Sequence, residues 1–318
     1  MREIDQLLEK TSRTFALSIP LLPEPTRDEV TVAYLLFRIA DTLEDAAAWP
    51  RQLRLAALAA FADLIEMPAA EARARVGDLS RAWCSGLPSE HQGYLELLAA
   101  TPFVLDNLAS LNPEARRIVA RDTVRTARGM TAFVARSDAT GRLELADEDD
   151  LARYCYAVAG IVGEMLTDLF LLARPALAPD AGALRRRAPL FGEALQLVNI
   201  LKDSSADAEE GRRYLPRGVT REAVFRRTRR DLEAAVEYAR ILQSAEGRGL
   251  ERGIVAFCAL PVRLAVATLD RIEAAGAGAK LTRPEVFAIV ADLERALDSG
   301  APAATSPGTV TSPSAGGE

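Results

Sequence analysis

Two acidic side chains four residues apart are the first feature of the sequence that could do chemistry. Asp41 and Asp45 follow Tyr34 and Arg38 in a segment that is otherwise largely apolar. At about 100° per residue, these four side chains fall within a helical arc of roughly 60°. Carboxylates one turn apart repel each other unless a cation lies between them, and Mg²⁺ prefers such oxygen ligands. Taken alone, the pair is more typical of a solvated helix end.

A second array of oxygen ligands follows about 160 residues later. Gln196, Asn199, Asp203 and Asp207 share one narrow helical arc, with apolar residues between them. Arg212 follows the acids, and its planar guanidinium suits bidentate binding of phosphate oxygens. Two such arrays in one helical protein predict the facing walls of a cavity in which Mg²⁺ holds a diphosphate. That site favours an ionisation reaction, because Mg²⁺ and Arg stabilise a departing diphosphate.

A nearly uncharged segment between the arrays predicts an apolar lining for this cavity. It covers residues 154–164 and contains two glycines three residues apart, which usually mark a close approach or a bend within a helix. A stripe suited to a greasy chain consists of Tyr154, Val158, Ile161 and Met165. A plain core helix would explain the apolarity equally well. A second apolar segment contains Phe257 and Pro261, and the proline is expected to kink its helix.

Helices must position these residues, because apolar residues recur at helical spacing through most of the chain. We predict helices at residues 26–48, 51–66, 68–85, 91–107, 113–136, 148–173, 183–206, 219–245, 247–274 and 283–298. No linker, composition shift or repeat divides residues 1–298, which predicts one all-α domain built around a central cavity. Residues 299–318 are rich in Ser, Gly, Pro and Ala, and we predict a disordered tail there.

Composition excludes several other classes of function. The 318 residues carry a formal net charge of −6, and their arginines are interspersed with acids, so we expect no nucleic-acid binding. The three cysteines form neither a disulfide framework nor a zinc pattern. The single histidine, His91, removes histidine-rich metal sites and Ser-His-Asp hydrolysis. We find no signal peptide and no uncharged apolar run of about 18 residues, so we expect a cytoplasmic protein.

At its motifs the sequence closely resembles the squalene/phytoene synthase family, over roughly residues 10–298. The resemblance rests on Ser12-Arg13-Thr14-Phe15, Tyr34-x-x-x-Arg38-x-x-Asp41-Thr-Leu-Glu-Asp45, Tyr154-Cys-Tyr-x-Val-Ala-Gly-x-Val-Gly163 and Asn199-Ile-x-x-Asp203-x-x-x-Asp207-x-x-x-Gly211-Arg212-x-Tyr-Leu-Pro216. Within the family, the residues 41–45 and 257–269 resemble squalene synthases more than phytoene synthases. The resemblance implies an isoprenoid synthase fold. It also implies head-to-head condensation of two farnesyl diphosphates, through presqualene diphosphate, to squalene with NADPH reduction.

The same resemblance implies a role for individual residues. The implied Mg²⁺ ligands are Asp41, Asp45, Asn199, Asp203 and Asp207. The implied diphosphate-binding residues are Ser12, Arg13, Arg38, Lys202 and Arg212. The implied catalytic residues are Tyr154, near the reacting carbons, with Tyr34 and Arg38. The implied hydrophobic pocket consists of Phe15, Val158, Ile161, Met165 and Phe257. Lys280 and Arg283 are a loose match to a basic segment that squalene synthases use for NADPH.

Two residues depart from the family pattern, and three rival interpretations stay open. Lys202 stands where many members carry Arg, and Ala206 stands where many carry Glu. A phytoene, dehydrosqualene or presqualene diphosphate synthase would share the first half-reaction and omit the reduction. A terpene cyclase or chain-elongating synthase spaces its second metal motif similarly, but the first motif here lacks an adjacent Asp-Asp pair. A relative without catalysis would be expected to lose the aspartates. Because substrate and product are greasy, we expect peripheral membrane association.

Overall fold

Helices form almost all of the regular structure in the computed structural model. The structure describes residues 2–138, 142–209 and 212–305, and it leaves out the side chains of 205–209 and 212. Within these ranges the α-helices are α1 Glu3–Thr11, α2 Phe15–Ser18, α3 Thr26–Glu44, α4 Arg51–Glu66, α5 Ala69–Ser85, α6 Gln92–Ala99, α7 Thr101–Ser110, α8 Pro113–Arg136, α9 Glu148–Cys155, α10 Ile161–Ala173, α11 Ala181–Glu209, α12 Arg221–Ser244, α13 Arg252–Ala275 and α14 Arg283–Ser299. The prediction of an all-α fold is confirmed.

Short elements join the helices. The chain forms 3₁₀ turns at Ile19–Leu21, Pro175–Asp180 and Glu246–Arg248 and a π-helical turn at Tyr156–Gly160. Two strands of two residues each, β1 Leu143–Glu144 and β2 Arg212–Arg213, pair in parallel. This ladder ties the end of α11 to the segment before α9.

Most predicted helices agree with the structure to within a few residues, and the exceptions have local causes. The helix α1 was not predicted, because its buried face consists of only four residues over nine. The segment predicted as one helix at 91–107 is two helices that break at Ala100, and Pro102 lies in the first turn of α7. The helix α13 continues through Pro261.

The helix α3 runs through the middle of the bundle. Its apolar positions, such as Leu35, Leu36 and Ile39, are fully buried, because other helices cover most sides of it. A helix surrounded in this way can place polar side chains only where the bundle leaves an internal space. The polar stripe of α3 therefore marks that space.

The π-helical turn divides the segment predicted as one straight helix at 148–173. A turn of this kind inserts one extra residue, which rotates everything after it by about 100° relative to a straight α-helix. Side chains before and after Tyr156–Gly160 therefore do not share the stripe that regular spacing predicts.

Two glycines let α11 pack tightly against the π-helical turn and α10. A Cβ on Gly192 would lie 1.9 Å from the carbonyl oxygen of Ala159, and a Cβ on Gly163 would lie 1.9 Å from that of Ala188. Both distances are impossible for real atoms, so only glycine allows this approach. The expectation that Gly163 marks a close approach is confirmed.

The first residues of the predicted tail pack against the bundle. Ala303 and Ala304 are buried, the Ala303 amide donates to Gln243 Oε1 at 2.9 Å, and Arg263 Nε donates to the Ala303 carbonyl at 2.5 Å. The predicted disorder is therefore wrong for residues 299–305, because α12 and α13 supply partners that composition does not reveal. Residues 306–318 lie outside the described part, so the prediction stands there.

Two helical stretches, Glu148–Ala173 and Arg252–Ala275, are long and apolar enough to cross a membrane by length and composition alone. In the fold, 56% and 72% of their most apolar windows are buried within the protein. Such burial is what the core helices of a bundle require.

We expect Gly192→Ala to lower the free energy of unfolding by about 1–3 kcal/mol, since the new methyl group overpacks the contact with Ala159. Gly77→Ala is the matched control, because a Cβ there would meet only the flexible end of Arg81 at 3.6 Å. The control should gain up to about 1 kcal/mol from helix propensity. Denaturant unfolding of both variants measures the difference, and equal stability of Gly192→Ala and wild type would contradict the close packing.

Candidate active site

A cavity of about 190 Å³ lies between α3, α10, α11 and α13. From α2, α3 and the 3₁₀ turn its walls take Phe15, Ile19, Val30, Tyr34, Phe37, Arg38 and Asp41. From the π-helical turn and α10 they take Val158, Ala159, Val162, Gly163, Met165 and Leu166. From α11 and α13 they take Phe191, Gly192, Leu195, Gln196, Asn199, Phe257 and Pro261. Both predicted arrays therefore contribute to one cavity.

The cavity changes from apolar to polar along its length. On α3 the lining passes from Val30 to Asp41, and on α11 it passes from Phe191 to Asn199. Eleven residues of helix span about 16 Å, so the α3 wall alone has that length. A molecule with a charged head and a hydrocarbon chain matches this gradient.

The polar stripe of α3 is internally connected. Arg38 pairs with Asp41 at 3.2 Å between nitrogen and oxygen, and its Nε donates to the Tyr34 hydroxyl at 3.4 Å. That hydroxyl donates to the Thr11 carbonyl at 2.7 Å. The guanidinium also lies over the ring of Tyr94 at 5.3 Å. These contacts hold Arg38 in one orientation at the cavity wall.

Burial raises the pKa of the Asp41 carboxyl to about 6, although Arg38 opposes this shift and Asp45 adds to it. The side chain keeps 32% of its exposure. Protein surrounds it at the cavity wall, so desolvation outweighs that remaining exposure. A negative charge is thus costly at this position without a further cation.

The second array has a lysine within it. Lys202 Nζ donates to Asn199 Oδ1 at 3.1 Å and pairs with Asp203 Oδ2 at 3.2 Å. The ammonium of Lys202 therefore contacts two of the predicted metal ligands. The predicted roles of Asp207 and Arg212 depend on side chains that lie outside the described residues.

The remaining acid of the first motif, Asp45, is exposed where α3 ends. Its amide donates to the Asp41 carbonyl at 2.8 Å, which keeps the two residues one turn apart. Among the side chains that the structure describes, no group of three acidic, cysteine or histidine residues converges as a preformed metal site. The two arrays, as far as the structure describes them, therefore offer separate oxygen atoms on the α3 wall and on the α11 wall.

The N-terminal motif shapes the wall near Tyr34. Ser12 Oγ accepts from the Phe15 amide at 2.9 Å, which starts α2 and directs Phe15 toward the cavity. The Phe15 ring packs against Tyr34 with centroids 5.4 Å apart. Arg13 is exposed and makes no hydrogen bond or ion pair with the described residues.

Comparison with known proteins identifies the family of this chain. The family model for squalene/phytoene synthase matches residues 8–287. The chain belongs to the squalene/phytoene synthase family. It is similar to the squalene synthases of Schizosaccharomyces pombe, 27% identical over 69% of this chain and 45% of the relative, and of Yarrowia lipolytica, 27% identical over 86% and 61%. The chain spans about half the length of the curated relatives it matches.

Solved structures share the fold at lower identity. A complex of TcSQS with the ligand BPH1237 is 22% identical, covers 93% of this chain and 88% of its own, and has a TM-score of 0.69. A dehydrosqualene synthase complex is 19% identical, covers 93% and 95%, and has a TM-score of 0.53. These likenesses establish the helical fold of the family for this chain.

Two residues predicted for the cavity lie elsewhere in this family member. Ile161 is buried but is not among the lining residues, and Tyr154 is also absent from them. Val158, Val162 and Leu166 line the wall at four-residue spacing. The roles predicted for Ile161 and Tyr154 stay predictions. Phe15, Val158, Met165 and Phe257 do line it.

Tyr154 lies in an aromatic cluster that the sequence analysis missed. It stacks on Tyr214 with ring centroids 4.7 Å apart and meets the edge of Phe133 at 5.1 Å. Burial, with smaller effects from Glu44, Tyr214 and Asp45, raises the pKa of the Tyr154 hydroxyl well above its usual value. The hydroxyl is therefore neutral at working pH. Tyr214 belongs to the quoted Arg-x-Tyr-Leu-Pro motif, which was the available signal.

Ion pairs between α11 and α12 are a second feature that the sequence did not predict. Arg227 of α12 pairs with Glu193 of α11 at 3.2 Å and with Asp231 at 3.5 Å. Burial raises the pKa of Glu193 to about 7, against the opposing effect of Arg227. This cluster fixes α11 against α12 on the side away from the cavity.

The loop between α13 and α14 reaches the polar end of α11. The Gly278 amide donates to the Lys202 carbonyl at 2.7 Å, and Gly278 has a positive φ of 81° that favours glycine. Lys280 and Arg283, the predicted NADPH residues, follow in the same loop and at the start of α14, and both are exposed.

We expect Asp41→Asn and Asp150→Asn to change stability in opposite directions at neutral pH. The folded-state pKa of Asp41 is raised, so wild type loses stability as pH rises through about 6, and Asn avoids that loss. The pKa of Asp150 is lowered to about 2, first by its hydrogen bond with Arg136. Its stabilisation is present above the unfolded pKa of about 4 and lost as pH falls toward 2.

Unfolding free energies between pH 4.5 and 8 would test this contrast. Asp41→Asn should exceed wild type above pH 6 and converge with it in more acidic solution. Asp150→Asn should fall below wild type throughout this range. A destabilised Asp41→Asn at pH 8 would mean that its pairing with Arg38 outweighs desolvation.

Proposed function

We propose that this chain catalyses the Mg²⁺-dependent head-to-head condensation of two farnesyl diphosphates into presqualene diphosphate and then, with NADPH, into squalene. The observation that carries the proposal is the gradient of the cavity. Its polar lining residues are Tyr34, Arg38, Asp41, Gln196 and Asn199, and hydrocarbon side chains make up most of the rest. An allylic diphosphate has the same polarity along its length. The squalene synthases among the relatives support the substrate class.

The two walls offer a reasonable donor set for Mg²⁺. Asp41 and Asn199 both line the cavity, and Mg²⁺ commonly uses one or two carboxylates together with substrate phosphates. The raised pKa of Asp41 indicates a carboxyl group whose charge needs a cation. We assign Asp45, Asp203 and Asp207 to the same role. Mg²⁺ bound there with the diphosphate would neutralise the charge that develops as the diphosphate departs.

In the first half-reaction, the C1–O bond of one farnesyl diphosphate breaks and its electron pair leaves with the diphosphate. The allylic cation is captured by the C2–C3 double bond of the second molecule, and loss of a proton closes the cyclopropane ring. Arg38 is already oriented by Tyr34 and Asp41 to bind phosphate oxygens. Ser12, Arg13, Lys202 and Arg212 would complete the diphosphate contacts.

Tyr154 would act as a neutral hydroxyl near the polar end. Its raised pKa excludes a resident phenolate, so it can donate a hydrogen bond or relay a proton, and the rings of Tyr154 and Tyr214 can stabilise a nearby cation.

The cavity is smaller than the roughly 300–1,000 Å³ of typical ligand sites. We therefore expect its lining side chains to move apart when two farnesyl chains bind.

The second half-reaction ionises presqualene diphosphate, rearranges its carbon skeleton and adds a hydride, which NADPH supplies when bound. The contact between Gly278 and Lys202 brings the loop that contains Lys280 to the polar end of the cavity. Lys280 and Arg283 are exposed cations suited to the phosphates of NADPH.

We place the enzyme in the cytoplasm, where free thiols such as Cys84 and Cys258 persist, with peripheral contact to a membrane.

Product analysis by mass spectrometry tests the proposal directly. Purified protein is incubated with farnesyl diphosphate and Mg²⁺, with and without NADPH, and with the C20 diphosphate in parallel. We expect squalene only with NADPH, and presqualene diphosphate without it. Presqualene diphosphate or dehydrosqualene as the end product in both cases would reject the reductive step, and phytoene from the C20 substrate would reject the substrate assignment.

Asp41→Asn tests the metal assignment within the same assay. Loss of one ligand to the departing diphosphate should lower kcat at least about a hundredfold. Asp78→Asn is the control, because Asp78 is exposed and pairs with Arg81 alone among the described residues, and it should keep wild-type activity. Unchanged kcat in Asp41→Asn would remove Asp41 from the reaction.

A further inference from the structure

A concentration of positive charge lies on α12, outside the cavity. Residues 212–230 contain eight arginines and one acidic residue, in a chain whose formal net charge is −6. The expectation that arginines are interspersed with acids is therefore wrong for this segment. A local excess of this size in an acidic protein requires either internal partners or an anionic partner outside the chain.

Some of these arginines have internal partners. Arg227 pairs with Glu193 and Asp231, Arg229 pairs with Asp270 and Glu273, and Arg217 pairs with Glu144 at 2.9 Å. These pairs join α12 to α11 and α13, and they join the loop before α12 to β1. Arg227 and Arg229 thus have a structural role within the bundle.

Others have none. Arg226 and Arg230 are exposed and one helical turn apart, and neither makes a hydrogen bond or ion pair with any residue in the described ranges. With Arg229 they line a surface depression that also includes Glu148 and Glu233. Arg213, in β2, is likewise exposed and unpaired within the described part of the chain. We call Arg213, Arg226 and Arg230 the arginine face.

The arginine face lies beside the polar half of the cavity. Phe191 contacts Tyr238 and Glu193 contacts Arg227, so α11 and α12 run antiparallel. Residues 221–230 therefore lie next to the C-terminal half of α11, which contains Asn199. A surface held against this face would lie close to the end of the cavity where we place the diphosphate.

We propose that the arginine face docks the protein on the anionic headgroups of a lipid bilayer. Charge complementarity selects this partner, since each guanidinium near an anionic bilayer adds a favourable, salt-screened attraction. The proposal rests on the proposed function, because only a greasy substrate and product give the protein a reason to bind a bilayer. The farnesyl chain would enter from the bilayer, and squalene would return to it. The deciding measurement is vesicle binding, which involves no catalysis, so the two proposals can fail separately.

Sedimentation with lipid vesicles tests the docking face. Wild type is mixed with neutral phosphatidylcholine vesicles and with vesicles containing phosphatidylglycerol, in ~0.02 M and ~0.3 M salt. We expect binding to the anionic vesicles in low salt, and weak binding to neutral vesicles or in high salt. Equal binding to both compositions would overturn the proposal in favour of apolar insertion, and no binding to anionic vesicles would overturn it outright.

The double variant Arg226→Glu/Arg230→Glu locates the effect. Its affinity for anionic vesicles should fall roughly thirtyfold or more. The matched control is Arg75→Glu/Arg186→Glu, which has the same net charge and reverses two exposed arginines without partners in the described ranges. The control should bind within about twofold of wild type. Equal losses in both double variants would show a net-charge effect and overturn the assignment to α12.

Three further measurements complete the test. Both double variants should keep the wild-type circular dichroism spectrum and the activity on detergent-dispersed farnesyl diphosphate, since neither pair lies in the cavity. A double-stranded oligonucleotide should not displace wild type from anionic vesicles. If the oligonucleotide displaces the protein at a concentration below that of the vesicle lipid, the face is a nucleic-acid surface instead.

Discussion

The ion pair between Arg38 and Asp41 within an otherwise buried helix constrains the rest of the structure. Desolvation of an isolated ion costs several kcal/mol, and the pairing offsets part of that cost, although burial still outweighs it at Asp41. The bundle meets this constraint by leaving a space beside α3 and lining its other end with hydrocarbon. The Tyr34 hydroxyl and the Thr11 carbonyl then fix the orientation of the pair. A charged site and an apolar chain site thus follow from one requirement.

The width of that space depends on backbone packing on its far side. Glycine at 163 and 192 lets α10 and α11 approach until backbone atoms touch, and the π-helical turn aims Val158, Val162 and Leu166 at the cavity. Buried ion pairs of Arg227 hold α11 from behind. These contacts hold the backbone of α11 at Gly192 and Glu193, about two turns before Asn199.

Helical periodicity in the sequence predicted the bounds of most helices. It did not predict the contacts that one helix makes with another. Helical spacing located α4 and α8 to the residue and placed Asp41 and Asn199 on walls of one cavity. Spacing cannot reveal a π-helical turn, such as the one at Tyr156–Gly160. It also gave no sign of contacts between distant residues, such as Tyr154 with Tyr214, Glu193 with Arg227 or Ala303 with Gln243.

Lys202 shows how one array can serve two states. Its ammonium contacts Asn199 and Asp203, the same oxygens that we assign to Mg²⁺. A cation therefore balances the array before substrate arrives, and a flexible lysine can leave when a metal–diphosphate complex enters. An arginine at this position would hold its carboxylate in a planar, two-point contact and leave less readily. Lys202 would thus balance the array before substrate arrives and then contact the diphosphate as a mobile point charge.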